Sequence, residues 1–241
     1  MNGPLGGLPP ATAWLRATPF MNASTAADAI TLTDRQRAEL TQIGTRLRLP
    51  ARTVIYEQES TAHWVYAIVD GAVKSCRALP SGRRAVSAFL FSRDLFGLAE
   101  NGHYTNTTQT LVPSTLYKLP IHELAVLLKE DGELQFKFLI KVTHELRESQ
   151  RRAVIISRRD AVGRLAMFVE VVSERMEASS HASVLRLPMS RTDIAGYLGL
   201  SAESVSRAIA ALERRGVAVF EGRHSVRIAD WGALGRLAAA V

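Results

Sequence analysis

Cysteine is all but missing from this chain of 241 residues, where Cys76 stands alone. A single thiol excludes an intramolecular disulfide framework and is compatible with a reducing cytoplasm. Long apolar runs are missing as well. No stretch approaches the roughly 18 residues that span a bilayer, and no basic segment followed by an apolar core opens the chain, so a soluble cytoplasmic protein without membrane contacts is expected. Catalytic signatures are absent: there is no Gly-x-Ser-x-Gly, no His-Glu-x-x-His and no Gly-rich phosphate loop. The six histidines, His63, His103, His122, His144, His181 and His224, are dispersed. They do not form the close His-x-His with a following Glu that a cupin-like metalloenzyme needs. The chain therefore reads as a non-enzyme with no metal and no cofactor, although the histidines leave haem or another small ligand open.

What is present is positive charge and one well-punctuated helical pattern. The net charge of +7 favours nucleic acid as a partner without establishing it. Between residues 189 and 216 the pattern predicts two short helices joined by a turn. Ser190 or Thr192 can cap the first, with Arg191 in its opening turn; Ile194, Ala195 and Leu198 form its apolar stripe, and Gly199 permits the positive φ that ends it. Ser201 caps the second. Val205, Ile209 and Leu212 recur at i, i+4, i+7 and bury one side, leaving Glu203, Ser206 and Arg207 outside, with Ser204 and Arg223 as supporting or backbone-contacting polar groups. A guanidinium matches guanine O6 and N7 in the major groove, and a carboxylate accepts from cytosine N4 or adenine N6. Taken alone, Glu203 and Arg207 are more simply read as an i,i+4 surface ion pair.

Context changes that reading. Residues 217–220 and 225–229 alternate around the Gly-containing turn Glu221–His224, a hairpin signal, and a helix-turn-helix followed by a hairpin is a winged DNA-binding module. At Glu203-Ser204-Val205-Ser206-Arg207 the chain resembles the CRP/FNR family of bacterial transcription regulators, whose FNR branch carries Glu-x-x-Ser-Arg in its recognition helix. The resemblance covers roughly residues 30–235. It implies a homodimer that mainly activates, contacts RNA polymerase through surface loops, and binds an inverted palindrome of half-sites close to TTGAT. An unregulated architectural DNA binder is the rival within DNA-binding proteins.

The expected fold class is α+β. Residues 1–30, rich in Gly, Pro, Ala, Ser and Thr, are read as a flexible extension. A helix is expected from Thr33, then strands at 53–56, 64–69, 72–76, 85–90 and 114–119, separated by Asp70-Gly71, Pro80-Ser81-Gly82 and Gly97. This is the punctuation of an antiparallel β-barrel. The resemblance makes it a cyclic-nucleotide-binding-like sensor over residues 31–130. A short helix at 121–128 precedes a long one at 131–158, on which Leu139, Val142, Leu146, Ser149, Ala153 and Ile156 fall at spacings of three and four, a coiled-coil seam. Phe136, Phe138 and Ile140 are placed on the opposite, barrel-facing side. A helix from Ala161 to about Met176 then leads into a DNA-binding domain spanning 159–241.

Relatives that bind cyclic AMP use a Glu and, shortly after it, an Arg for the ribose and cyclic phosphate. Here the segment 96–110 holds Glu100 but no arginine, so the phosphate charge would lie unpaired. The FNR branch holds an iron–sulfur cluster on four cysteines; this chain has none before Cys76 and carries Tyr117 where the fourth is expected. A FixK-like regulator, which keeps the motif and lacks the cluster, remains. Cys76 is a possible redox switch: strand alternation sets it on the face of Lys74, which favours exposure.

Overall fold

The computed structural model describes residues 32–79, 82, 84–176, 184–222 and 224–239. The extension expected over residues 1–30 lies outside them, as do His181 and Arg223. In chain order the elements are α1 (Asp34–Ile43), β1 (Thr45–Leu49), β2 (Val54–Tyr56), β3 (Trp64–Asp70), β4 (Ala72–Ala78), β5 (Arg84–Phe91), β6 (Leu95–Phe96), β7 (Thr107–Thr110) and β8 (Ser114–Pro120). Then come α2 (Ile121–Glu130), α3 (Gly132–Ser157), α4 (Ala161–Arg175), β9 (Leu185–Arg186), α5 (Arg191–Leu198), α6 (Ala202–Arg214), β10 (Ala218–Glu221), β11 (Ser225–Ile228) and α7 (Trp231–Ala239). No helix among the described residues is long and apolar enough to cross a membrane. The described residues divide into two compact units: those within 32–75 with 89–147, and those within 76–88 with 148–239.

The expected barrel is not closed. Strands β1 to β8 form two four-stranded sheets, ordered β1-β8-β3-β6 and β2-β7-β4-β5. Pairing between β3 and β8 slips between Ile68 and Asp70, just before the Gly71 turn that leads into β4. All five expected strands form. Three more were not expected, each for a local reason. β1 follows α1 after a single residue, β6 has two residues, and β7 is Thr-Thr-Gln-Thr with no apolar side chain. Hydrogen bonding rather than hydrophobicity holds β7 inside: buried Thr110 accepts from Thr53 N–H at 2.9 Å and donates to the Pro50 carbonyl at 2.7 Å.

Aromatic rings occupy the space between the sheets. Tyr104 stacks on Tyr56 at 3.8 Å, Tyr66 stacks on Phe96 at 5.2 Å, and Tyr56 joins the two pairs. The Tyr104 hydroxyl donates to the Trp64 carbonyl at 2.8 Å, so its polar end is satisfied. Burial pushes the Tyr56 hydroxyl up to about 12 and raises Tyr66 as well. On the outer face of the first sheet, Val65, Ala67, Leu95 and Leu119 pack with Leu32, Leu40 of α1, Leu124 of α2 and Leu134 of α3. Each fully buried leucine there contributes roughly 1.5–3 kcal/mol. α1 starts with a capping box between Thr33 and Gln36.

Cys76 is buried, against the expectation of exposure. Alternation predicts exposure only where one face of a strand meets water; Ala72, Val73, Ser75 and Cys76 are all buried, so both faces of β4 are covered. Phe136 also departs from expectation: it is 56 % exposed, whereas Ile140 is buried and Phe138 half-buried. Three residues ahead of Leu139, Phe136 extends the outward stripe of α3 instead of packing inward.

Gly71 closes the turn between β3 and β4 at φ +107°, and a Cβ there would fall on the Ser114 side chain and lie 2.8 Å from the Ser114 Cα. Gly71→Ala therefore combines backbone strain of roughly 1–3 kcal/mol with a clash that the neighbouring strand cannot relieve. The expected outcome is a melting temperature several degrees lower, at about 2–4 °C per kcal/mol. Gly82→Ala, at φ +75° with nothing within 4 Å, is expected to cost clearly less. Equal melting temperatures for the two variants in a thermal scan would refute the steric argument.

Candidate nucleic-acid interface

In the second unit α5 and α6 form the expected helix-turn-helix. Ser190, not Thr192, caps α5: its Oγ accepts from the Asp193 N–H at 3.1 Å, and the Asp193 carboxylate accepts from the Ser190 N–H at 3.1 Å. Arg191 and Thr192 are left exposed at the positive end of the helix, where a phosphate is favoured. Gly199 ends α5 at φ +65°, ψ +31°, with its N–H donating to the Ala195 carbonyl. Ser201 opens α6 by accepting from the Ser204 N–H at 3.0 Å, and its hydroxyl donates to the Ser204 hydroxyl at 2.9 Å. Both serines are thus structural caps, each worth about 1 kcal/mol.

Four side chains of α6, Val205, Ala208, Ile209 and Leu212, are buried, and the helix packs on α4 and α5. Glu203, Ser206 and Arg207 are exposed together on the other side. In the free protein Arg207 and Glu203 pair at 3.3 Å, with 71 % and 77 % of their side chains exposed. The Ser206 hydroxyl donates back to the Ala202 carbonyl at 3.0 Å. A pair this exposed contributes only about 0.2–1 kcal/mol, so contacts to base edges can replace it at little cost. The surface ion pair and the candidate base-reading pair are therefore the same two residues.

Sequence reasoning missed the groups that hold this face in place. Arg164 of α4 donates to the Leu198 carbonyl at 2.8 Å, and Arg152 of α3 donates to the Tyr197 carbonyl at 3.2 Å while lying over the Tyr197 ring at 5.1 Å. Two cations thus serve the last carbonyls of α5, where the helix dipole is negative. Their spacing from α5 in the chain gives no local signal. α7 was missed too, because Gly232 and Gly235 interrupt its pattern; Asp230 caps it through the Ala233 N–H at 2.8 Å, and it packs on α4.

The expected hairpin forms with Ala218 opposite Ile228 and Glu221 opposite Ser225, and β9 adds a third strand along β11. Glu213 of α6 accepts from the Phe220 N–H at 3.0 Å, tying the recognition helix to the wing. Arg227 pairs with Glu221 at 2.9 Å across the hairpin. Arg186, Arg214 and Arg215 are exposed on this unit, further cations that sequence reading did not single out.

Elsewhere, the segment that corresponds to the cyclic-nucleotide contact of cyclic-AMP-binding relatives contains a turn at residues 100–103. Asn101 and Gly102 both take positive φ, and Glu100 and His103 exchange backbone hydrogen bonds at 3.0 and 3.1 Å. Glu100 is exposed at that turn, and Tyr117 is buried in the core beneath the helices. Among the described residues no group of three or more His, Cys, Asp or Glu could hold a metal ion.

Residues 163–237 match the Crp-like helix-turn-helix domain and residues 46–131 the cyclic nucleotide-binding domain. The chain is 29 % identical over 197 residues to the nitrogen fixation regulation protein FixK of Azorhizobium caulinodans, covering 81 % of this chain and 79 % of that one. It is 31 % identical over 182 residues to the transcriptional activator protein FnrA of Stutzerimonas stutzeri, covering 73 % of each. Among solved structures it is similar to FixK2 from Bradyrhizobium japonicum, with TM-score 0.75 and 29 % identity over 83 % of this chain and 99 % of that chain. With a cyclic-nucleotide-binding-like domain ahead of a winged helix-turn-helix that presents Glu203, Ser206 and Arg207, the chain belongs to the CRP/FNR family of DNA-binding transcription regulators, in its FixK-like branch.

Proposed function

We propose that two copies of this chain bind an inverted palindrome in a promoter and mainly activate transcription there through RNA polymerase, in the cytoplasm, with neither cyclic AMP nor an iron–sulfur cluster. The observation that carries the reading is the outward face of α6, where burial of four apolar residues leaves Glu203, Ser206 and Arg207 free for base edges. Arg207 reads a guanine of the half-site and Glu203 a cytosine or adenine. Ser206 is the third base-reading residue, beside them on the same face. Arg191 and Thr192 contact the phosphate backbone near the N-terminus of α5, with Arg223 in the wing turn; Ser190, Ser201 and Ser204 hold the two helix starts.

In this reading residues 31–130 are a sensor-like domain, 131–158 a dimerisation helix and 159–241 the DNA-binding domain. The seam of α3 supports dimerisation. Leu139, Val142 and Leu146 are 56, 43 and 58 % exposed in the single chain, Ser149 and Ala153 are exposed, and Ile156 is half-buried. A partner helix removes that apolar stripe from water. The ligand-free reading rests on the lack of an arginine between residues 96 and 110 and on the rings of Tyr56, Tyr66, Phe96 and Tyr104, which take up the space between the sheets.

Three outcomes are expected. Arg207→Ala costs about 1–3 kcal/mol at the guanine and relaxes specificity at that position, read by footprinting with each base substituted in turn; equal weakening on all sequences would make Arg207 a phosphate contact only. Leu146→Glu buries two like charges at the two-fold axis and gives monomers in sedimentation at micromolar concentration, with poor palindrome binding; wild-type-like dimers would show the seam to lie elsewhere. The purified protein binds its palindrome in air with no added ligand, and peroxide leaves the affinity unchanged because the Cys76 thiol is buried. A strict requirement for cyclic AMP, or an oxidant effect abolished by Cys76→Ser, would contradict it.

A further inference from the structure

α3 carries two stripes. Leu139, Val142 and Leu146 face outward, while Leu134, Phe138, Lys141 and Glu145 face the sensor-like domain. The inward stripe is unusual at its centre. Lys141 is 1 % exposed, and its ammonium lies 2.9 Å from Asp94 Oδ1, itself 1 % exposed, and 2.7 Å from Glu145 Oε1. Asp94 is fixed on the sheet side: its Oδ2 accepts from the Phe91 N–H at 2.8 Å, and its carbonyl accepts from the Ile68 N–H at 3.0 Å. One turn earlier, Lys137 donates to Gln36 Oε1 of α1 at 2.9 Å, and Gln36 in turn donates to Asp131 at the start of α3 at 3.1 Å.

We infer that the buried Lys141–Asp94 pair is a positioning element that sets the rotational phase of α3, and thereby decides which residues form the dimer seam. The inference rests on the dimer reading. Its physical basis is the difference between apolar and ionic contacts. Leucine and phenylalanine side chains repack over a range of helix rotations, and the seam itself is weakly specifying, with Ser149 and Ala153 among its members. A buried ammonium has no such latitude. A shift of one residue turns the helix by about 100°, which carries the Lys141 amine away from Asp94 and takes that cation from the buried Asp94 carboxylate. Lys137 and Lys141, four residues apart, meet fixed partners on α1 and on the β5–β6 turn, so the helix has two polar anchors one turn apart. Val142 is the immediate neighbour of Lys141, and any phase error at the anchor is passed directly to the seam. A single buried polar group that fixes register at some cost in stability is a known use of such groups in helical assemblies.

The test reads phase separately from stability. In a Cys76→Ser background, cysteine is placed either at Leu146, on the seam, or at Arg147, one residue away, and the rate of disulfide cross-linking between subunits is measured at micromolar concentration. With the Lys141–Asp94 pair intact, Leu146→Cys is expected to cross-link about tenfold faster than Arg147→Cys. Lys141→Met alone strands Asp94 and is expected to lower the melting temperature, so the decisive variant is Lys141→Met with Asp94→Leu, which removes both members of the fully buried pair and takes a partner only from Glu145, whose side chain is 23 % exposed. That double variant is expected to fold and dimerise, with the two cross-linking rates drawn to within about threefold of each other and palindrome affinity reduced. A folded double variant that keeps the tenfold preference would overturn the positioning role and leave the dimer reading intact. Absence of cross-linking at both positions with the pair intact would overturn the dimer reading and this inference with it.

Discussion

Burial of Val205, Ala208, Ile209 and Leu212 against α4 and α5 fixes which way the rest of α6 points, and the function of the chain depends on that orientation. Three polar residues on an exposed helix face have no intrinsic direction; they acquire one because the opposite face cannot be hydrated without losing several kcal/mol. The surrounding contacts serve the same end. Gly199 lets α5 stop within one residue, Ser201 starts α6 two residues later, and Arg164 and Arg152 hold the end of α5 through its carbonyls. The Glu213 contact to the wing keeps the hairpin in step with the helix it flanks.

The sensor-like domain is built on a different balance. The interior between its sheets is aromatic, and the hydroxyl of Tyr104 is satisfied by the backbone of Trp64. On the outer face of the same domain, Asp94 ties α3 to the sheets through Lys141, and Asp131 ties α1 to the start of α3 through Arg35 and Gln36. These contacts hold the long helix against the domain.

The helices were legible in the sequence because their apolar spacing and caps agree: α3, α4, α5 and α6 lie within a residue or two of the ranges read from the pattern. The strands with alternating apolar residues were legible as well. β7 was not, since four polar residues held by Thr110 hydrogen bonds carry no hydrophobic signal, and neither was α7, with two glycines in nine residues. Cys76 and Phe136 were misplaced because local periodicity says which residues share a face but not which faces are covered. Of the interface, the outward residues of α6 were readable from one helix alone. The supporting Arg164, Arg152 and Glu213 were not, because each acts on a carbonyl or N–H that is distant in sequence or in another element.

In the proposed dimer two identical recognition helices, related by a two-fold axis, read one DNA site together. The most direct measurement is affinity for a single duplex series in which the spacing between the two half-sites is changed. Inserting half a helical turn, about five base pairs, rotates one half-site to the far side of the duplex, so affinity should fall to that of an isolated half-site. Undiminished binding after that insertion would mean that each DNA-binding domain acts alone, and would contradict the account.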